Sequence, residues 1–115
     1  MSLRKKQSEF ARMVPRLIDK AHELGFEVTL GDAYRDPRAP YGSKSSRHRL
    51  RLAIDLNLFI AGVYMTETKD HLQLGKWWIE QGGIWGGTFG MDWDLDELTP
   101  DDMLGNDGNH YEWPL

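Results

Sequence analysis

The segment from Leu52 to Ile60 constrains the fold of this chain more than any other stretch. Its side chains alternate, so that one face of an extended strand is purely aliphatic and the other is mixed. The aliphatic face consists of Leu52, Ile54, Leu56 and Leu58, and the mixed face of Ala53, Asp55, Asn57 and Phe59. This pattern predicts a strong strand that carries the carboxylate of Asp55 at its centre.

A carboxylate at this position needs a partner, because burying an unpaired charge costs several kcal/mol or forces protonation. His48 is the nearest candidate. The odd separation of seven residues puts His48 and Asp55 on opposite faces of a straight strand. We therefore expect His48 to lie on the loop before the strand and to fold back, with a metal ion as one group that binds both side chains.

The C-terminal segment supplies a second imidazole, His110, with the acids Asp107 and Glu112 beside it. Two His and one carboxylate form the donor set of a catalytic zinc site, in which the fourth position is left to water. Structural zinc sites are closed by four ligands and are usually rich in Cys, whereas this chain contains no Cys. The sequence thus favours a catalytic metal site over a structural one.

A carboxylate next to such a site can take a proton from water and pass it to a leaving amine. Asp107 lies three residues before His110 across a Gly-containing turn, and Glu112 lies two residues after it. If the segment is extended, Glu112 shares the face of His110. The spacing alone leaves both residues open as the base.

The surrounding sequence predicts two helices and two further strands. Apolar residues at helical spacing from Glu9 indicate a helix that ends at Gly25, with Pro15 at its start or at a kink. The other predicted elements are a strand at 26–30, a tight turn at 61–62, a short strand at 63–65 and a helix at 66–81, capped by Thr68 and exposing His71 in its first turn.

Three loop segments complete the chain. Residues 36–47 form a predicted mobile loop, and the basic residues within and after it could attract an anionic substrate. Arg35 lies just before this loop. It either forms an ion pair at the surface, which its own segment favours, or points into a site. The acidic residues at 91–97 do not fit the template of a calcium-binding loop, so we predict a surface loop there. Residues 99–102 are predicted to form a helical turn.

Composition limits the classes of function. A length of 115 residues predicts one domain spanning 1–115, and the formal net charge of −4 argues against a nucleic-acid partner. No apolar run has the length of a membrane span or of a signal-peptide core, so we expect cytoplasmic synthesis and no membrane insertion. The expected fold is α+β, a small antiparallel sheet with helices packed on one face and a zinc site in a groove on the other.

The order of these residues resembles the zinc peptidase family that includes D-alanyl-D-alanine carboxypeptidases, vancomycin-resistance dipeptidases and bacteriophage endolysins of the L-alanyl-D-glutamate peptidase type. The resemblance covers most of the chain. It depends on Tyr34-Arg35, Ser46-x-His48-x-x-x-x-Ala53-x-Asp55, Trp85-Gly86-Gly87 and Asp107-x-x-His110. The chain departs from the pattern at Arg51, where many family members have Gly, so we expect the loop backbone or the pocket floor to differ there.

The resemblance implies roles for individual residues. The implied roles are zinc ligation by His48, Asp55 and His110, acid catalysis by Asp107, substrate contacts from Arg35, Ser46 and Trp85, and a supporting position for Glu112 behind the zinc ligand His110. The implied activity is hydrolysis of the L-Ala–D-Glu bond in the stem peptide of peptidoglycan, by a monomer that acts on the cell wall after its release. The alternatives are removal of a terminal D-Ala and, outside the enzymes, a non-catalytic module that binds wall peptides.

Overall fold

A computed structural model describes residues 2–36, 38–41, 46–88 and 107–115 of the chain. The predictions for 91–97 and 99–102 lie outside these residues, as does part of the loop at 36–47. Two α-helices and five strands are present in the described part. They are α1 (Leu3–Glu23), β1 (Glu27–Leu30), β2 (Ala53–Ile60), β3 (Val63–Tyr64), α2 (Leu72–Glu80), β4 (Ile84–Trp85) and β5 (His110–Glu112).

Helix α1 begins earlier than the apolar pattern predicted. Ser2 caps it, because its hydroxyl accepts a hydrogen bond from the backbone nitrogen of Lys5 at 3.3 Å. The basic residues that follow Ser2 have high helix propensity, so the helix forms before its apolar stripe starts. Pro15 lies inside the helix and does not begin it. The predicted end is confirmed, since Gly25 follows the helix with a φ of 96°.

The sheet is antiparallel and is organised around β2. The strand order is β1-β2-β5-β4, and β3 also pairs with β2. The predicted turn between β2 and β3 is confirmed: Ala61 and Gly62 have φ angles of 49° and 77°, as a two-residue turn of this hairpin type requires. Strand β1 pairs with residues 56–59 of β2, and β5 pairs with residues 53–55, where Asp55 lies.

The core lies between the two helices and the aliphatic face of β2. Its fully buried members include Leu17, Leu56, Trp78, Trp85 and Tyr111. This arrangement confirms the predicted α+β class with a small antiparallel sheet. Among the described residues, no helix has the length and hydropathy needed to cross a membrane.

The start of the second helix differs from the prediction. Residues Thr68–His71 form a 3-10 helix capped by Glu67, and the α-helix begins only at Leu72. Glu67 and Asp70 form a reciprocal capping box, in which each side chain accepts from the backbone of the other, so Thr68 is not the cap.

The prediction that His71 is exposed was wrong. Its side chain is 3% exposed, and Nδ1 accepts a hydrogen bond of 2.7 Å from the hydroxyl of Tyr111. Burial lowers the pKa of His71 to about 4, against the opposing charge of Asp70. His71 is therefore a neutral, hydrogen-bonded member of the interior.

Candidate metal centre

Two of the predicted metal ligands come from adjacent strands. Asp55 in β2 is paired with His110 in β5, so both side chains project from the same face of the sheet. This is the face opposite the aliphatic side of β2. The backbone of Asp55 is held from the other direction by β1 and the loop after it, through hydrogen bonds of 2.8 Å with Gly31 and Asp32. The carboxylate is thus carried on a strand that is fixed on both sides.

The third predicted ligand reaches the same place from the preceding loop. His48 lies in a short 3-10 helix, Arg47–Leu50, whose first turn is capped by the hydroxyl of Ser46. Arg51 ends this helix with a φ of 56°, in the left-handed conformation, and the chain then enters β2. The prediction that His48 folds back from the loop is confirmed. The backbone at Arg51 adopts a conformation that glycine favours.

The donor atoms of the three side chains form a nearly equilateral triangle. His48 Nε2 lies 3.2 Å from Asp55 Oδ1 and 3.2 Å from His110 Nδ1, and His110 Nδ1 lies 3.3 Å from Asp55 Oδ1. The two imidazoles are 2% and 5% exposed. Residues His48, Asp55 and His110 therefore form a compact, largely buried group that could hold a metal ion.

Each imidazole is also held by a hydrogen bond on its outer nitrogen. His48 Nδ1 donates to the carbonyl of Ala33 at 3.3 Å, and His110 Nε2 donates to Glu112 Oε1 at 2.8 Å. Because a carbonyl and a carboxylate only accept, these contacts place the protons on the outer nitrogens and direct the inner nitrogens to the triangle. Outer hydrogen bonds of this kind accompany almost every metal-binding His.

The charges around the group oppose the effect of burial. Burial alone would raise the pKa of Asp55, yet hydrogen bonds from His110 and His48 lower it to about 2. Burial alone would lower the pKa of His110, yet the carboxylates of Asp55 and Glu112 raise it to about 9. Two anionic side chains thus flank the imidazole of His110.

The two candidate bases occupy different sides of His110. Asp107 Oδ2 lies 4.0 Å from Nδ1, the nitrogen on the triangle, and half of the Asp107 side chain is exposed. Glu112 contacts the opposite edge of the ring, is 8% exposed and forms an ion pair of 3.1 Å with Arg47. The position of Asp107 suits proton transfer at the metal site, whereas that of Glu112 suits orientation of His110.

Arg35 is held close to the loop that carries His48. Its backbone nitrogen donates to the carbonyl of His48 at 3.2 Å, and its guanidinium lies 3.7 Å from Asp32 and over the ring of Tyr41. The Arg35 side chain is 11% exposed, and its buried Nε has no hydrogen-bond partner among the described residues. The predicted surface ion pair is therefore only a loose contact.

Ser46 and Trp85 hold the backbone on either side of the site. The Ser46 hydroxyl caps the 3-10 helix through the backbone nitrogen of His48 at 3.2 Å. Trp85 has no exposed surface, so the prediction that its ring contacts a substrate needs correction. Its Nε1 instead donates to the carbonyl of Gly108 at 2.6 Å, which holds the turn between Asp107 and His110.

Three supporting residues were not identified from the sequence. They are Ala33, Arg47 and Gly86. The Ala33 carbonyl acts through its backbone and has no sequence signal, and the Arg47 contact joins residues that are distant in sequence. For Gly86 the Trp85-Gly86-Gly87 motif was a usable signal: a β-carbon at Gly86 would overlap the carbonyl of Asp107 and come within 2.9 Å of His110 Cβ.

The dimensions of the triangle fit zinc. Two ligands of a tetrahedral zinc ion with bonds of about 2.0 Å are separated by roughly 3.3 Å, close to the observed donor separations of 3.2–3.3 Å. The donor set of two His and one carboxylate leaves a fourth position open, as catalytic sites require. In comparisons with known proteins, no family model and no curated sequence matches the chain.

Proposed function

We propose that this protein is a zinc-dependent peptidase that hydrolyses the L-Ala–D-Glu bond of the peptidoglycan stem peptide. The observation that carries this proposal is the convergence of His48, Asp55 and His110 on one small triangle, with each outer imidazole nitrogen already hydrogen-bonded. Donor separations of 3.2–3.3 Å, on imidazoles that are oriented from their outer sides, support binding of one shared cation.

The proposed chemistry divides between the metal and the side chains. Zinc, when bound by His48, Asp55 and His110, supplies a Lewis acid and lowers the pKa of water toward neutrality. The half-exposed carboxylate of Asp107 takes the proton from the attacking water and transfers it to the leaving amine. Glu112 and the Ala33 carbonyl keep the two imidazoles oriented throughout.

The choice of substrate rests on charge and on the resemblance of the sequence to peptidoglycan peptidases. Arg35 retains a buried, unpartnered Nε among the described residues and is attached to the His48 loop. A carboxylate of the stem peptide would pair with the cationic guanidinium of Arg35, in a charge-assisted hydrogen bond. An anionic peptide therefore suits this protein better than a neutral one.

The test is digestion of N-acetylmuramoyl pentapeptide followed by mass spectrometry. Cleavage after L-Ala releases a tetrapeptide with an N-terminal D-Glu and leaves muramoyl-L-Ala, whereas a D,D-carboxypeptidase releases only the last D-Ala. We expect the first pattern with the zinc-loaded chain and no product with His110→Ala. Release of D-Ala alone would favour the carboxypeptidase, and absence of cleavage by zinc-loaded protein would favour a wall-binding module.

The metal must be identified in the same preparation. Two His and one carboxylate also bind ferrous iron in oxygenases. After a chelator has removed the metal, we expect zinc to restore peptide cleavage and iron not to restore it. Restoration by ferrous iron alone would contradict the proposal of a zinc peptidase.

A further inference from the structure

An apolar cavity of about 480 Å³ lies between helix α1 and the chain segments that lead into β2. Phe10 and Val14 of the helix line one side, and Ile54 with the segment Ala33–Tyr34 lines the other. This volume falls within the range of about 300–1,000 Å³ that is usual for small-molecule sites. The cavity is distinct from the triangle of His48, Asp55 and His110, since none of these three residues lines it.

The described part of the lining contains a single charged residue, Arg51. Gln7, which also has a long polar side chain, already donates to the carbonyl of Leu50 at 2.8 Å. Among the described lining residues there is no acidic side chain. The cavity therefore combines an apolar interior with one cation.

Arg51 occupies this position at a conformational cost. Its φ of 56° is a left-handed conformation that residues with a β-carbon rarely adopt. The guanidinium lies 4.1 Å from the centre of the Tyr34 ring, which is 45% exposed. Within the described part of the chain, the Arg51 guanidinium forms no hydrogen bond or ion pair, so its donors remain available to a ligand. The strained backbone thus holds a stacked, available cation beside an apolar space.

We propose that this cavity binds a small amphiphilic carboxylate, with the apolar chain against Phe10, Val14 and Ile54 and the carboxylate on Arg51. Both parts of such a ligand would be stabilised in this cavity. Its apolar chain would be buried away from water, and its carboxylate would accept charge-assisted hydrogen bonds from the Arg51 guanidinium. A cationic amphiphile would bury its chain but would be repelled by Arg51, and a strongly polar ligand would gain little from the apolar walls. This site goes beyond the proposed peptidase and does not depend on it.

The cavity shares one wall with the candidate metal centre. Ala33 lines the cavity, and its carbonyl accepts the hydrogen bond from His48 Nδ1 at 3.3 Å. The neighbouring backbone nitrogen of Arg35 donates to the carbonyl of His48 at 3.2 Å. A ligand in the cavity therefore contacts the segment that orients His48.

The test is calorimetric titration of the full chain with decanoate and with decyltrimethylammonium, an analogue of similar length and opposite charge. We expect saturable 1:1 binding of decanoate and much weaker binding of the cation. Arg51→Gln should weaken decanoate binding about fivefold, as expected for a partly exposed ion pair. Ala11→Trp, which fills the cavity from α1, should abolish it. Arg12→Gln removes an exposed arginine of the same helix that does not line the cavity and should leave binding unchanged.

Several results would overturn the proposal. Absence of saturable decanoate binding by the wild-type chain would do so, as would equal affinity for the cationic analogue. Unchanged affinity in either Arg51→Gln or Ala11→Trp would mean that the charge or the cavity is not used. Sedimentation of the chain with anionic phospholipid vesicles, without binding of free decanoate, would assign the surface to a membrane instead.

Discussion

Asp55 and His110 are direct partners across β2 and β5, and their donor atoms lie 3.3 Å apart on the same face of the sheet. Strand register alone therefore brings together two residues that are far apart in sequence. His48 joins them from a loop, at 3.2 Å from each donor atom. The geometry of the centre is thus set mainly by the register of β2 and β5.

Gly86 tests whether the turn at 107–110 must lie close to β4. A β-carbon there would overlap the carbonyl of Asp107 and contact His110 at 2.9 Å. We expect Gly86→Ala to lower the free energy of unfolding by about 1–3 kcal/mol and to weaken zinc binding, because the turn carrying His110 must shift. Urea unfolding and competitive zinc titration measure the two effects.

The matched control is Gly25→Ala. Gly25 has a φ of 96° and no atom near its missing β-carbon, so alanine there strains the backbone without touching the metal centre. Both variants should lose stability, and only Gly86→Ala should lose zinc affinity. An equal zinc affinity in the two variants would show that the turn tolerates displacement.

Glu112→Gln separates orientation of His110 from proton transfer. The substitution keeps the size of the side chain but removes the charge that accepts from His110 Nε2 at 2.8 Å. Mutation of such an outer partner typically lowers metal affinity or activity by about 10- to 100-fold. Because the amide oxygen of Gln can still accept a hydrogen bond, we expect a loss of zinc affinity near the lower end of this range by competitive titration. Arg47→Gln, which leaves the His110 contact intact, should have a smaller effect. Unchanged zinc affinity together with lost hydrolysis would instead assign Glu112 as the base.

Asp107→Asn should abolish hydrolysis and leave the metal centre intact. Removal of a general base typically costs about 10²- to 10⁴-fold in rate. The backbone carbonyl of Asp107, which accepts from the nitrogen of His110 at 3.1 Å, is retained in the variant. Zinc content and the unfolding midpoint should therefore match the wild type while the turnover number falls. A wild-type turnover number in this variant would exclude Asp107 from proton transfer.

The buried His71 predicts a loss of stability in mild acid. The pKa of His71 is about 4 in the folded protein, against an unperturbed value of 6.5. Between pH 6.5 and pH 4, His71 is therefore protonated in the unfolded chain and neutral in the folded protein. The free energy of unfolding should consequently fall as the pH decreases from about 6.5 to 4, by roughly 3 kcal/mol from this residue. Urea unfolding across this range measures the slope.

A pair of His variants isolates this contribution. His71→Asn removes the titration while its amide oxygen can still accept from Tyr111, so we expect a shallower slope than in the wild type. His22→Asn changes an exposed His of α1 and should retain the wild-type slope. Identical slopes for the wild type and His71→Asn would contradict the assignment of a neutral buried His71.

The sequence predicted those parts of the fold that depend on local pattern. The alternation around Asp55 correctly identified β2 and its two faces, and the Ala61-Gly62 turn identified the hairpin. The convergence of His48 with Asp55 was also predictable, because a buried carboxylate needs a partner and His48 was the nearest candidate. Local constraints were strong enough at these positions to determine the outcome.

The errors at His71 and Trp85 concern contacts between residues that are distant in sequence. His71 is buried because Tyr111 of β5 packs against it, and Trp85 is buried because the core closes around it. Neither burial is visible in the local pattern of the segment. The strands β4 and β5 contain only two and three residues, too short for an alternating pattern to identify them.

Metal content of the purified full chain tests the central claim most directly. We expect about one zinc ion per chain in the wild type, and loss of that zinc in both His48→Ala and His110→Ala. His22→Ala, which replaces an exposed imidazole on α1, should keep it. Undiminished zinc in both ligand variants would contradict a metal centre formed by His48, Asp55 and His110.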